Sequence, residues 1–265
     1  MKFQRKYDMT REENIFLAKR NIVDYIWKSV NLEGIGMTYP DTQAVYNGMA
    51  VSGFTIDEIN AVNDLKNAWK LLLDTLGAPL DLEYIKNIHR ALGRFTIINN
   101  GSLRTDEVRI GGTDWIPSIP DKDEIASQLK TIAVISNPME RALRTTAYLM
   151  RSQLFYDGNK RIAMLIGNKI MIDNGCGIIS VSQKDISAFY QTLVSFYESG
   201  DYNGIMDFLY ENCVDGMDFT NRVGGNSSDW GISDLSHHRS CGSASGGSTN
   251  LTYDTPFGVV ITHGD

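Results

Sequence analysis

Apolar residues recur along most of the chain at the three-to-four-residue spacing of helices, and in one short stretch they alternate as in a strand. Over residues 10–30, Ile15, Phe16, Ile22, Val23, Ile26 and Trp27 form a stripe behind a Thr10-x-x-Glu13 capping box. Breaks at Gly34, Gly36 and Pro40 precede a short helical piece at 41–49. Thr55 and Glu58 repeat the capping device ahead of Ile59, Val62, Leu65, Trp69, Leu72 and Leu76, and Gly77 ends that helix. Further helices are predicted over 82–92, 123–135, 138–152 and 159–174, then from the Ser182/Asp185 cap through Tyr197, and over 203–213. The alternating stretch is Val108-Arg109-Ile110 before Gly111, behind the turn signal Asn99-Asn100-Gly101, and predicts a hairpin over about 101–116. Segment 159–174 is apolar nearly all round, which suits the centre of a bundle. The pattern predicts an all-α helical bundle with one short β-hairpin flap, occupying residues 1–219, with its N-terminal helices at 10–76.

Beyond residue 220 the chain turns rich in glycine and serine, and residues 242–248 resemble a linker. Residues 220–265 are expected to be a flexible tail, within which 251–262 retain the capacity for a strand or a docking segment. The 265 residues, 42% hydrophobic, supply one sizeable core. A net charge of -7 argues against a general nucleic-acid surface but leaves room for a local basic pocket. Cys176, Cys213 and Cys241 have neither paired nor metal-like spacing, as expected of free thiols in a reducing compartment. No signal-like start and no membrane-length apolar run is present, so the expectation is a cytoplasmic protein with no membrane association. His237, His238 and Cys241 are too few ligands to indicate a metal site.

The candidate chemistry lies between two of the predicted helices, in Gln153-Leu154-Phe155-Tyr156-Asp157-Gly158-Asn159-Lys160-Arg161. Asp157-Gly158 is a turn signal, so the second helix begins with Asn159, Lys160 and Arg161 in its first turn. Cations are disfavoured there by the helix dipole. Unpaired N–H groups, the dipole and two basic side chains converging on one point are what a phosphate chain requires. Gly158, Asn159, Lys160 and Arg161 are therefore the candidate phosphate contacts, Arg161 foremost, and Asp157 is the candidate ligand for a divalent cation. Each has a plainer role open to it: Asp157 as a turn or capping acid, Gly158 and Asn159 as turn and helix start, Lys160 as a solvated lysine. Phe155 reads as packing that holds the loop, and His89, alone at helical spacing, as structural.

This loop, residues 153–161, resembles the signature of the Fic (Fido) family of nucleotide-dependent protein-modifying enzymes, His-x-Phe-x-Asp/Glu-Gly-Asn-Gly/Lys-Arg. Phe155, Asp157, Gly158, Asn159 and Arg161 match it, and Lys160 has a precedent in the Doc branch. The resemblance implies ATP or another nucleotide and Mg2+ as cofactors, and a target hydroxyl that attacks the α-phosphorus. It also implies a protein substrate docked by main-chain pairing on the flap, at Val108, Arg109, Ile110 and Gly111. Pairing of two copies through that edge is left open.

Two positions depart from the family. Gln153 stands where the signature has its catalytic histidine, and Met164 where a second arginine is frequent. An amide can orient a hydroxyl but cannot take up its proton near neutral pH, which removes a contribution of about 10²–10⁴-fold. Three functions therefore stay open: weak or noncanonical transfer of AMP or a related phosphate-containing group to a protein hydroxyl, an inactive nucleotide-binding or partner-binding module, and a Doc-like protein kinase. Many members of the family carry an inhibitory helix of pattern Ser/Thr-x-x-x-Glu-Gly/Asn, whose glutamate pairs with the second arginine. The matches sought at 42–47 and 43–48 lack the glutamate, so with Met164 they predict that this form of autoinhibition is absent.

Overall fold

A computed structural model describes residues 2–219 and the backbone of a strand at 259–261. The chain divides into two units, residues 1–218 with 255–265 and residues 219–254, and all the elements below belong to the first. The linker-like stretch at 242–248, the histidine pair at 237–238 and Cys241 lie outside the described residues, as does the expectation of a flexible tail.

The predicted helices form. Both capping boxes close: the Thr10 and Thr55 hydroxyls accept from the N–H groups of Glu13 and Glu58, whose carboxylates accept in return from the Thr10 and Thr55 N–H groups. The expected helix at 10–30 is in fact two, α1 (Arg11–Arg20) and α2 (Ile22–Leu32), broken at Asn21, whose backbone leaves helical geometry at φ -104° and ψ 15°. Asparagine competes with helical hydrogen bonding and suits such a break. There follow α3 (Tyr39–Tyr46), α4 (Ile56–Asp74) and α5 (Leu82–Leu92). Strand β1 (Val108–Ile110) precedes α6 (Lys122–Ala133), α7 (Pro138–Ser152) and α8 (Asn159–Asp173). After β2 (Ile178–Ile179) come α9 (Ile186–Ser199), α10 (Tyr202–Cys213), β3 (Val214–Asp215) and β4 (Val259–Ile261).

The core sits around α8, from which Arg161 to Ile172 is buried without interruption. Helices α7 and α8 form a hairpin around the 153–158 connection. They approach so closely that a Cβ on Gly167 would stand 2.0 Å from the Thr146 hydroxyl. Buried amides complete the backbone bonding: Asn168 donates to the Ile179 carbonyl at 2.9 Å and accepts from the Ile179 N–H at 2.6 Å. Asn14 does the same for Gly177.

The hairpin does not form as predicted. β1 is a single strand whose partner is β4, antiparallel, with Val108 opposite Ile261 and Ile110 opposite Val259. After the Gly111-Gly112 turn the returning chain is drawn away instead, because Trp115 stacks on Tyr197 with ring centroids 5.4 Å apart and lies under the Arg151 guanidinium. Prolines at 117 and 120, lacking N–H groups, suit that irregular return better than a ladder. A second small sheet, β2 against β3, was not legible in the sequence. Among the described residues no helix is long and apolar enough to cross a membrane.

Candidate active site

The 153–158 loop is held from within. Gln153, the C-cap of α7, is left-handed at φ 44°. Its carbonyl accepts from Arg104 Nε at 2.6 Å, and the buried guanidinium of Arg104 also donates to the carbonyls of Asp106, Pro117 and Ser118, tying both ends of the flap excursion to the loop. Asn159 closes the turn: Oδ1 accepts from the Phe155 N–H at 3.0 Å, and Nδ2 donates to the Phe155 carbonyl at 2.7 Å. Phe155 is buried and stacks on His89 with centroids 3.7 Å apart.

His89 is a clamp. Its Nδ1 accepts from the Gly101 N–H at 2.8 Å, so Nε2 carries the proton and donates to the Asp157 carbonyl at 3.0 Å. Burial, with the charge of Arg161 adding to it, pushes its pKa down to about 4. Gly158 follows at φ 76°, a left-handed backbone that favours glycine, and a Cβ there would also press on the tip of Ile97 at 2.9 Å.

Helix α8 then starts with no side-chain cap and with both cations inward. Lys160 reaches Glu33 at 3.4 Å. Arg161, almost wholly buried, donates to Asp157 Oδ2 at 2.9 Å and lies 3.8 Å from Glu33 Oε1 through its Nε. Neither of those last two atoms has a hydrogen bond, so a buried charge faces a buried charge across a gap too long for one. Burial opposes the Arg161 charge, but Glu33, Asp157 and Asp64 hold its pKa above the ordinary value. Burial alone would raise the Asp157 carboxyl; Arg161, the Gly158 N–H and Lys160 prevail and keep it below the usual range.

Glu33 was missed in the sequence, although the signal was there: Ser29-x-x-x-Glu33-Gly34 fits the inhibitory pattern. The expectation drawn from residues 42–48, that no glutamate of this pattern is present, is therefore corrected: Glu33 supplies one at the end of α2, one helix earlier. Gly34 at φ 84° ends α2, with the Ile35 N–H on the Val30 carbonyl and the Gly34 N–H on that of Asn31, which leaves Glu33 at the helix tip. Met164 takes no part in the pairing; it lies in a separate small cavity with Ser29, Leu32 and Arg161.

Of the residues singled out in the sequence, Gln153, Asp157, Gly158, Asn159, Lys160, Ile110 and Gly111 line one cavity, joined there by Glu33, Tyr190 and Tyr197. Arg161 lies behind it. Val108 is buried and Arg109 is turned outward, 3.9 Å from Glu107. The Gln153 amide is engaged at both ends: Nε2 donates to the Met150 carbonyl at 2.6 Å and to the Tyr197 hydroxyl at 3.3 Å, and Oε1 accepts from Asn159 at 3.1 Å. The Asn159 amide is likewise bound inside the loop. The cavity is only about 30 Å³, room for about one water, where small-molecule sites have about 300–1,000 Å³. The Glu33 carboxylate stands before the α8 N-terminus, on the cavity wall, against Lys160 and Arg161. Among the described residues no group of three or more His, Cys, Asp or Glu is arranged to hold a metal ion unaided.

Comparison with known proteins gives a consistent result. The model of the Fic/DOC family matches residues 79–171. The protein adenylyltransferase Fic of Aedes aegypti is 26% identical over 230 residues, 83% of this chain and 44% of that protein. Its namesake from Drosophila virilis is 28% identical over 201 residues, 72% of this chain and 41% of that protein. The chain thus spans less than half the length of these curated relatives. Among solved structures, Fic-1 of C. elegans superposes with a TM-score of 0.65 at 24% identity, over 74% of this chain and 62% of that one. A Fic-domain signaling protein of Bacteroides thetaiotaomicron superposes with a TM-score of 0.62 at 18% identity, over 76% and 86% respectively.

Proposed function

Because residues 79–171 match the model of the Fic/DOC family, we propose that this chain binds a nucleoside triphosphate at the α8 N-terminus and transfers AMP, or a related phosphate-containing group, to a protein hydroxyl. The relatives' names as protein adenylyltransferases support the reaction class. The observation that carries the proposal is a site already built for an anion and holding one: Lys160 and Arg161 at an uncapped helix start, with the Glu33 carboxylate against both. The residues to which we assign the work are Arg161 and Lys160 for phosphate charge, and Gly158 and the first-turn N–H groups for phosphate oxygens. Asn159 acts by bracing the loop, not by touching the ligand.

Asp157, a half-exposed carboxylate on the cavity wall with a depressed pKa, suits the one- or two-carboxylate mode in which Mg2+ is bound alongside phosphates. Bound there, Mg2+ would neutralise phosphate charge. Gln153 orients without accepting a proton, so transfer is slow, and Glu33 must leave before a triphosphate enters. The Gln153 amide, tied at both ends, favours one second function, a nucleotide-binding module that performs no transfer. The whole proposal concerns residues 1–219, with residues 220–265 accessory to it.

Titration calorimetry of ATP with Mg2+ tests the site. The wild-type chain is expected to bind weakly and Glu33→Gly at least about tenfold more tightly, because affinity scales with the fraction of molecules whose site is open. Arg161→Ala in the Glu33→Gly background is expected to abolish binding. Equal, weak binding by all three would refute the anion site.

A further inference from the structure

We propose that the cavity between α6, α7 and residues 115–121 is a second ligand site, for a small organic anion: a carboxylate or phosphate on a compact, partly apolar body. The cavity measures about 330 Å³, within the range of small-molecule sites, about 300–1,000 Å³. It shares no lining residue with the candidate active-site cavity. Its charged wall comes from α7, where Arg144, Tyr148 and Arg151 recur at four and then three residues and so fall on one helical face.

Both guanidiniums are held by aromatic faces more than by hydrogen bonds. That of Arg144 lies over the Tyr202 ring, 3.2 Å from its centroid. That of Arg151 lies 4.5 Å from the Trp115 centroid and donates from Nη2 to the Tyr197 carbonyl at 3.0 Å, while its buried Nε has no acceptor. Among the described residues no carboxylate pairs with either. Stacking fixes a guanidinium without using its N–H fork, so the two offer donors to an anion that enters. Two carboxylates also line the cavity. Asp121 is spent on capping α6, accepting from the N–H groups of Asp123 and Glu124, and Glu124, exposed to solvent, is screened. Buried Ile125, Leu154 and Pro117 supply an apolar wall that an inorganic anion would leave unused.

Position gives this site a bearing on the loop. Trp115 stacks on Tyr197, whose hydroxyl accepts from Gln153. The Pro117 and Ser118 carbonyls accept from Arg104, which also holds the Gln153 carbonyl. An occupant of the cavity therefore braces the segment that fixes Gln153. The consequence for transfer rests on the function proposed above; the binding does not.

Titration of phenyl phosphate, benzoate and inorganic phosphate into the full-length chain, without Mg2+ or nucleotide, tests the site, with hydrogen exchange read by mass spectrometry to locate it. At least one of the two aryl anions is expected to bind at least about tenfold more tightly than inorganic phosphate, because only they cover the apolar wall. The tighter of the two tells whether the site prefers phosphate or carboxylate. Exchange is expected to slow at 115–121 and 144–152 and to stay unchanged at 159–165. Arg144→Ala should weaken the aryl anion at least about tenfold, Arg144→Lys should recover part of the loss, and Arg161→Ala should change nothing. Absence of binding by both aryl anions, or equal binding of inorganic phosphate, would overturn the proposal. So would protection at 159–165 or loss of binding in Arg161→Ala, since either assigns the anion to the start of α8. Should Arg144→Ala fail to fold, the exchange map of the wild-type chain decides by itself. None of these readouts depends on ATP, so failure here and failure of nucleotide binding are separate results.

Discussion

At the scale of single residues, His89 and Gln153 bear on proton chemistry in different ways, and their partners decide how. His89 is buried and neutral, with both nitrogens committed to backbone groups. Its folded pKa of about 4 lies below the ordinary 6.5, so below pH 6.5 the unfolded chain takes up a proton that the folded chain refuses. Stability is therefore full above about pH 6.5 and is lost as pH falls from there towards 4, at about 1.4 kcal/mol per pH unit. Urea unfolding at pH 7.5 and pH 5.0 should show this loss, and His89→Gln should remove most of the difference. Gln153 stands where the proposed transfer would need a base. Histidine tolerates left-handed backbone better than most residues, so Gln153→His fits φ 44°. In the Glu33→Gly background it should raise transfer to protein by about 10²–10⁴-fold, seen as a mass increment on target proteins in a lysate. No gain would mean that position 153 does not face the reacting hydroxyl. The match of 153–161 to a signature was legible because those residue types follow one another in sequence. Which of them touch ligand was not: Asn159 and Gln153 are taken up by bonds within the loop that no linear pattern announces.

Between elements, two charges that each look misplaced explain one another. Lys160 and Arg161 sit at the positive end of α8, and Glu33 sits at the negative end of α2, each disfavoured by its own helix dipole. Packed tip to tip, they cancel. The Tyr190 hydroxyl, donated from α9 to the Leu32 carbonyl, holds the α2 tip in place. Tyr190→Phe should cost about 0.5–1.5 kcal/mol of stability and, by loosening that tip, tighten ATP binding several-fold; calorimetry of both unfolding and binding checks the pair of effects. Unchanged ATP affinity would show that α2 does not gate the site. The anomaly of cations at a helix start was visible in the sequence. Its resolution needed the contact between residues 127 or more positions apart, which the pattern at 29–34 does not announce by itself. The flap differed for a related reason: alternation located β1, while the anchoring of Trp115 on Tyr197 and Arg151 decided that its partner is β4.

At the scale of the whole molecule, two contacts between segments distant in sequence border the candidate site: Glu33 against Lys160 and Arg161, and β4 paired with β1, whose Ile110 lines the cavity. They touch different groups, so their effects on binding should be independent. Glu33→Gly should raise ATP affinity, while Val259→Pro with Val260→Pro, which breaks the β1–β4 pairing, should leave it unchanged, each read by titration. Coupling between the two would mean that the flap and the α2 tip move as one body. The sequence by itself determined most of the helices, the capping boxes at Thr10 and Thr55, the central place of α8 and the loop at 153–161, because helical periodicity, capping and turn chemistry act over a few residues. Tertiary structure alone decided that Glu33 lies against Lys160 and Arg161, that His89 is a neutral clamp and that β1 pairs with β4. Those outcomes depend on burial and on charges and strand edges meeting across long stretches of chain, where Coulomb attraction, desolvation and backbone pairing act between positions that local pattern cannot connect.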